Sequence, residues 1–303
     1  MENYIVKTLS DGTKRWYIDG KRNRKNGLPA VEKANGDKEW WVNDQRHRNG
    51  DLPAIEYADG GKGWYKFGLL HREGGLPAYE GIDGSKSWYV NGKQHREGGL
   101  PAVDRVNGNK EWWINGKLHR DNDLPAIEYA DGGKAWYKFG LPHREGGLPA
   151  YEGIDGSKSW YVNGCRHRGG GRPASERVDG TKSWWVNGDR HREGELSACE
   201  WCDGTKEWWV NGDRHREGGL PAIEDTNGDG EEWWVNGKKL TEEKIILYTA
   251  FCKKMEEKNR IRAQNKIYFW WIQICYDLEH PSGCGQRMAQ LNLAEYENMV
   301  NTN

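Results

Sequence analysis

The chain has 303 residues, of which 35% are apolar and 30% charged, with 18 Trp and 14 Tyr against 4 Phe. So little aliphatic material excludes two fully covered layers and leaves large amphipathic rings to supply much of the burial. The 45 Lys and Arg are balanced by 46 Asp and Glu, a formal net charge of −1, which excludes long-range attraction to nucleic acid or to an anionic membrane.

The opening stretch, MENYIVKTLSDG, lacks the basic and apolar regions of a secretory signal, and no run approaches the roughly 18 to 20 apolar residues that cross a bilayer. A cytoplasmic protein without a transmembrane segment is expected. The six cysteines, Cys165, Cys199, Cys202, Cys252, Cys275 and Cys284, fall at irregular places in a long chain, so reduced thiols are expected rather than a disulfide framework.

One sentence then repeats along most of the chain. Its leading tryptophans are Trp16, Trp40, Trp64, Trp88, Trp112, Trp136, Trp160, Trp184, Trp208 and Trp233, spaced by 24 residues with a last interval of 25. Every repeat carries an Asp-Gly or Asn-Gly pair ahead of that Trp, from Asp11-Gly12 to Asn227-Gly228. The segment from Leu52 to Gly92 returns from Leu124 with two changes, an offset of 72, as if three repeats had been duplicated together.

Within a repeat, Asp-Gly or Asn-Gly suits a type I′ turn, which joins "PAxExx" to "xKxWWV" as a β-hairpin. The following "NGxxHRxxGLP" carries the chain onward, with room for a short third strand at "xxHR". Pro29, Pro53 and Pro77 fit a strand beginning, and the many glycines leave no window for a stable helix. The predicted architecture is mainly β: an elongated, single-layer, twisted antiparallel sheet of about ten tandem hairpins. At a strand spacing of about 4.8 Å it runs roughly 100 Å.

From Thr241 the pattern changes to a capped helix with Ile245, Tyr248, Cys252 and Met255 on one stripe. A second helical pattern follows at Ile267, Trp270 or Trp271, Ile274 and Leu278, broken by the stretch from His280, and a last helix is expected over 286–299. Residues 1–240 therefore form the repeat array and 241–303 a helical cap, whose bland use is to cover the last open strand edge.

The repeated polar residues invite a chemical reading. His47, His71, His95, His119, His143, His167, His191 and His215 recur once per repeat, but neighbours about 10 Å apart cannot share a metal whose ligands lie at about 2 Å. A structural imidazole, packed or bonded within its own turn, is expected instead. The recurring Arg, acid and Lys read as a cross-strand charge ladder. Cys199-Glu200-Trp201-Cys202 has the spacing of a metal knuckle, yet in a strand its two thiols face opposite ways and no second pair follows. No phosphate loop and no nucleophile or zinc-protease motif appears, so no catalytic residue, metal ligand or cofactor is assigned.

The doubled aromatics carry more information. Adjacent strand residues point to opposite faces, so each Trp-Trp or Trp-Tyr pair puts a ring on both sides of the sheet. The second ring of each pair, Trp41, Tyr65, Tyr89, Trp113, Tyr137, Tyr161, Trp185, Trp209 and Trp234, is the candidate interaction surface.

Trp113, Asn115, Gly116 and His119, and again Trp185, Asn187, Gly188 and His191, carry a resemblance to the MORN-repeat family, with its "W-x-N-G" turn and "xxHG" element. Here Arg follows His, as in His119-Arg120, where the family has Gly. The wording "DGxKxWWVNGxxHRxxGLPAxE" over about residues 10–240 is similar to the divergent MORN-like arrays encoded by large DNA viruses of amoebae. The resemblance implies a docking or dimerising scaffold in the host cytoplasm or the virion, with a host or viral protein, or its own copy, as partner. A glycan held on the aromatic platforms is the alternative, and no nucleic acid is expected.

Overall fold

A computed structural model describes residues 3–226 and 230–256. The Asn227-Gly228 turn, the helical pattern from Ile267 to Leu278, the break at His280 and the expected helix over 286–299 lie outside the described residues. The chain divides into two compact bodies, Met1–Gly212 and Asp213–Asn303.

The fold is mainly β, and its long antiparallel sheet counts 20 strands among the described residues. It grows by hairpins. Val31–Glu32 pairs with Lys38–Glu39, which pairs onward with Ile55–Glu56 of the next repeat, which pairs with Lys62–Gly63, and the pattern continues through Cys199–Glu200 with Lys206–Glu207. At the N-terminal end Tyr4–Thr8 pairs along the whole of Lys14–Ile18.

The expected single strand through "xKxWWV" is not what forms. Beyond the first repeat, the strand breaks at the leading Trp, and the residues after it pair in a separate short hairpin, as Trp41–Val42 does with Gln45–Arg46. The third strand at "xxHR" therefore exists, but it serves this second hairpin rather than the long sheet. The break has a physical cause. A straight strand would leave the two indoles on opposite faces of one layer, each half wet, whereas a bend lets one of them be buried whole. Trp40 is the joint: its N–H donates to the Ala54 carbonyl at 2.8 Å and its own carbonyl accepts from the His47 N–H at 3.1 Å.

The two turns of each repeat also differ from expectation. Type I′ geometry belongs to the Asn-Gly after the aromatics, where both residues have positive φ, as at Asn91 (48°) and Gly92 (78°). In the Asp-Gly ahead of the aromatics only Gly does, as at Gly60 (101°). There the Tyr57 N–H reaches the Gly61 carbonyl at 2.9 Å and the Asp59 carboxylate accepts the Gly61 N–H at 2.9 Å, a three-residue turn locked by an aspartate. Successive short hairpins are linked through their turns: Gly92 N–H donates to Leu70 O at 2.8 Å and Gly116 N–H to Gln94 O at 2.8 Å.

A third positive-φ site ends each "EGGLP" loop. Gly75, Gly99, Gly147 and Gly171 occupy it, but Asp51, Asp123 and Glu195 hold the same position at φ 53°, 55° and 60°. Left-handed backbone costs a non-glycine residue about 1 kcal/mol or more, and glycine loses part of that gain as extra chain entropy. Glu195→Gly is expected to stabilise the first body by about 0.5–1 kcal/mol, read as a higher urea midpoint at unchanged slope.

In the second body the helix Glu242–Glu256 has Glu242 and Glu243 in its first turn and Lys253 and Lys254 in its last, matching the helix dipole at both ends. Tyr248 and Cys252 are buried with Val235 and Leu240, and Trp233 and Ile245 pack against them. A Cβ on Gly219 would stand 3.2 Å from both Cys252 Cβ and Thr249 Cα, so the helix approaches the last loop as only glycine allows. Docking on Trp233 and Val235 ties the helix to the final repeat, which is why those residues share a body. The Met255 side chain lies outside the described ones.

Candidate interaction surface

The leading indoles of the first body are buried, from 4% exposed at Trp160 to 7% at Trp16, while Trp233 is half-buried, and those from Trp40 to Trp184 are held from two sides. The guanidinium eight residues later stacks on the ring face: Arg48 lies 3.7 Å from the Trp40 centroid, Arg120 3.7 Å from Trp112 and Arg168 3.6 Å from Trp160. The indole N–H donates to a loop carbonyl thirteen residues earlier, as Trp40 does to Gly27 O at 2.7 Å and Trp112 to Gly99 O at 2.8 Å. The same arginine donates to the carbonyl before a fully buried Ala and to the strand acid: Arg120 Nη1 meets Pro125 O at 3.2 Å and Glu128 Oε1 at 2.7 Å. The expected Arg–acid ladder is this clamp. Lys38 stands opposite Glu32 and Glu56 in the strand register.

The histidines bond within their own turns as expected, His47 Nε2 with Asn49 Oδ1 at 2.8 Å and His119 Nε2 with Asp121 Oδ1 at 3.2 Å, and they also reach further. Their Nδ1 atoms accept from the turn of the following repeat, as His71 from Asn91 N–H at 3.1 Å and His191 from Asn211 N–H at 3.2 Å. Where Phe replaces that Asn, the imidazole stacks on it instead: His47 on Phe67 at 4.6 Å and His119 on Phe139 at 4.3 Å. In the second body His215 is 5% exposed and accepts from Asn236 N–H at 3.2 Å, and burial pushes its pKa down to about 4. Since the unfolded imidazole titrates near 6.5, the unfolded chain takes the proton first. Stability contributed by neutral His215 is therefore lost as pH falls from about 6.5 toward 4. His215→Asn, the residue that Asn23 supplies in the first repeat, is expected to flatten that part of an acid-unfolding curve followed by near-UV circular dichroism.

Cys199 is 1% exposed on its strand, with burial raising its thiol to about 11, while Cys202 is exposed in the turn that follows and not in the strand that the sequence suggests. Among the described residues no cluster of His, Cys, Asp or Glu could hold a metal ion.

The second aromatics, Trp41, Tyr65, Tyr89, Trp113, Tyr137, Tyr161, Trp185, Trp209 and Trp234, are all half-buried. In the first body they line a groove whose other wall is the long sheet, and its filling varies. In three repeats the residue before the leading Trp is a glutamate that closes it. Glu39 accepts the Trp41 indole N–H at 2.8 Å and pairs with Lys33 at 2.9 Å and Arg46 at 3.4 Å. Burial alone would raise that carboxyl, but the Lys33 bond, the Trp41 bond and the Arg46 charge outweigh it and hold it below the usual range. Glu111 does the same with Trp113 at 2.9 Å and Arg105 at 2.9 Å, and Glu207 with Trp209 at 2.7 Å and Trp201 at 3.1 Å.

Arginines thread the same column. Arg46 lies 4.9 Å from Trp41 and 5.5 Å from Tyr65, Arg166 5.3 Å from Tyr161 and 4.9 Å from Trp185, and Arg190 5.2 Å from Trp185 and 5.0 Å from Trp209. Between these closed stretches the pattern lapses. Leu70, Gln94, Leu118 and Pro142 stand where the arginines would, and Gly63, Ser87, Ala135 and Ser159 stand where a glutamate would. The space left around the last two is an open cleft of about 340 Å³ lined by Tyr129, Tyr137, Tyr151, Tyr161, Pro142 and Arg166 among others.

Comparison with protein-family models, with curated proteins and with solved structures gives no match to this chain. The groove must therefore be read from its own chemistry.

The sequence offers this column as a candidate surface but treats its members as equivalent. It misses Tyr57, Tyr79, Tyr129 and Tyr151, which come from the other wall. Part of the signal is the residue before the leading Trp, glutamate at Glu39, Glu111 and Glu207 and Gly, Ser or Ala around the clefts, although Ser183 stands in a stretch that Arg166 and Arg190 fill. A second omission is the leucine of each "GLPA". Leu28, Leu52, Leu76, Leu100, Leu124 and Leu148 are each 45–51% exposed, a row with the period of the array.

Proposed function

We propose that this chain is a non-catalytic repeat scaffold that acts through protein contacts, foremost with a second copy of itself. The leucine row carries the reading. One half-exposed leucine per repeat, about 10 Å from the next by strand spacing, makes an apolar stripe longer than isolated surface residues produce. A row with this period is matched along its length by another array of the same pitch. The residue types that could do chemistry point the same way, because His, Arg and acid are engaged in the same internal contacts in repeat after repeat. The MORN-like wording, with its implied docking role in a host cytoplasm or virion, is consistent with this use, and no cofactor enters it. Among the described residues no helix is long and apolar enough to cross a membrane.

The test is the mass of the full-length chain in solution by sedimentation equilibrium across the micromolar range. A dimer that becomes a monomer in L76S/L100S/L124S, with unchanged circular dichroism, supports the scaffold. A wild-type chain that stays monomeric removes self-association. So does a dimer indifferent to the three serines.

A further inference from the structure

The lining of the open cleft is repeated once in the chain. Tyr129, Ala135, Tyr137, Tyr151, Ser159 and Tyr161 of the described cleft correspond, 72 residues earlier, to Tyr57, Gly63, Tyr65, Tyr79, Ser87 and Tyr89. Their shared geometry is visible in the edge-to-face tyrosine pairs, Tyr129 with Tyr151 at 6.4 Å and 69°, Tyr57 with Tyr79 at 6.4 Å and 72°. Tyr65 closes over Gly63, whose missing Cβ would stand 3.1 Å from its ring.

We propose that each tyrosine cleft binds a neutral sugar ring of an oligosaccharide, giving two glycan sites per chain. Charge is the first argument. Around Trp41, Trp113 and Trp209 a glutamate is bonded to the Trp and balanced by a cation, and in both clefts the glutamate is absent. A cationic ligand would find no carboxylate in the lining. An anionic one would find Arg166 at the edge of one cleft but Gln94 at the same position of the other. What the clefts share is uncharged: aromatic faces edged with phenol and serine hydroxyls.

That is the complement of a pyranose, which presents C–H faces to rings and hydroxyls around its rim. Burial raises the Tyr129 and Tyr137 phenols above their usual range, which keeps them neutral and able to donate. The Tyr161 hydroxyl accepts from Arg166 Nη2 at 2.8 Å, leaving its own proton to give.

Shape is the second argument. The Glu111, Trp113 and Arg105 cluster stands in the repeat between the two clefts, and Arg46 and Arg166 stand in the column at their outer ends. Each opening therefore spans two repeats rather than forming a continuous track for an extended peptide. At about 340 Å³ the described cleft sits at the lower end of small-ligand sites, roughly 300–1,000 Å³.

The array supplies its own blocking variants. A135E/P142R installs in one cleft the acid and cation that Glu39 and Arg46 form at 3.4 Å, and G63E/L70R does so in the other. Isothermal titration of the full-length chain with cellotriose, maltotriose, mannotriose and chitotriose at up to about 10 mM reaches sites with dissociation constants near 1 mM. The expected result is a saturable response to at least one sugar at two sites per chain, one site after A135E/P142R and none after both pairs are combined.

Tyrosine ring resonances, assigned through Y65F and Y137F, give a readout that needs no closing variant. Tyr65 and Tyr137 should shift with sugar while the Trp185 indole does not. No saturable response to any of the four sugars would overturn the proposal. So would binding that survives both closing pairs, ring shifts elsewhere only, or a decaproline peptide that occupies the clefts while the sugars do not.

Discussion

Replacing Trp112 with alanine is expected to lower the stability of the repeat array by about 3–5 kcal/mol, the cost of emptying a buried large-aromatic site. The indole is 5% exposed, lies under the Arg120 guanidinium at 3.7 Å and donates to Gly99 O at 2.8 Å. Its removal therefore exposes a guanidinium face and leaves a loop carbonyl without its donor, in addition to the cavity. Trp112 also sits at the joint between the long sheet and the short hairpins, through its N–H to Ala126 O at 2.8 Å and its carbonyl from His119 N–H at 3.0 Å. Because each repeat contacts only its neighbours, the loss falls on one interface of a linear array. Urea unfolding followed by tryptophan fluorescence should show a midpoint well below wild type. Hydrogen exchange should rise most between residues 100 and 130. Trp113→Ala, at the half-buried second ring, is the control and should cost clearly less.

The second large effect is expected at the arginine of the clamp. Arg120→Ala removes a stacked cation worth about 1–2 kcal/mol and two charge-assisted hydrogen bonds, to Pro125 O at 3.2 Å and Glu128 at 2.7 Å. Allowing for the shared geometry of the three contacts and the partly exposed Glu128, a loss of about 3 kcal/mol is expected, read as the same shift in urea midpoint. Arg120→Lys should recover less than half, since an ammonium cannot lie flat on the ring and bond two oxygens in its plane. The Lys138 to Glu145 pair, at 2.6 Å but with both side chains exposed, is the comparison: Lys138→Ala should change stability by less than about 0.5 kcal/mol. If Arg120 and Lys138 behaved alike, the clamp would be a surface ion pair like any other.

The repeat, its period and its β character are legible in the sequence because they depend on local chemistry. Asn-Gly fixes a turn, glycine and proline exclude a helix, and a 24-residue period fixes what each element meets next. The N-cap at Thr241 and the stripe of Ile245, Tyr248 and Cys252 are legible for the same reason. Less local features are misread. Asp59-Gly60 and Asn91-Gly92 look alike as dipeptides, but only the second is a type I′ turn, because Asp59 uses its carboxylate on the Gly61 N–H. The histidines do bond within their own turns, as His47 to Asn49, but their second partners lie twenty residues on, as Asn91 does for His71.

The sequence by itself determined that two aromatic columns run along a hairpin array, but not which of them is exposed. Only the tertiary structure decided how the first is hidden: by breaking each strand at the leading Trp, laying an arginine on its ring and folding the "GLPA" loop beneath it. It also decided where the groove is open, because a glutamate and an arginine separated in the chain must meet there, as Glu39 meets Arg46 and Glu111 meets Arg105, whereas Ala135 and Pro142 leave the space unfilled. Chain distance sets local turns, but filling of space is set by side chains that converge from different strands, and their meeting is a property of the packed molecule alone.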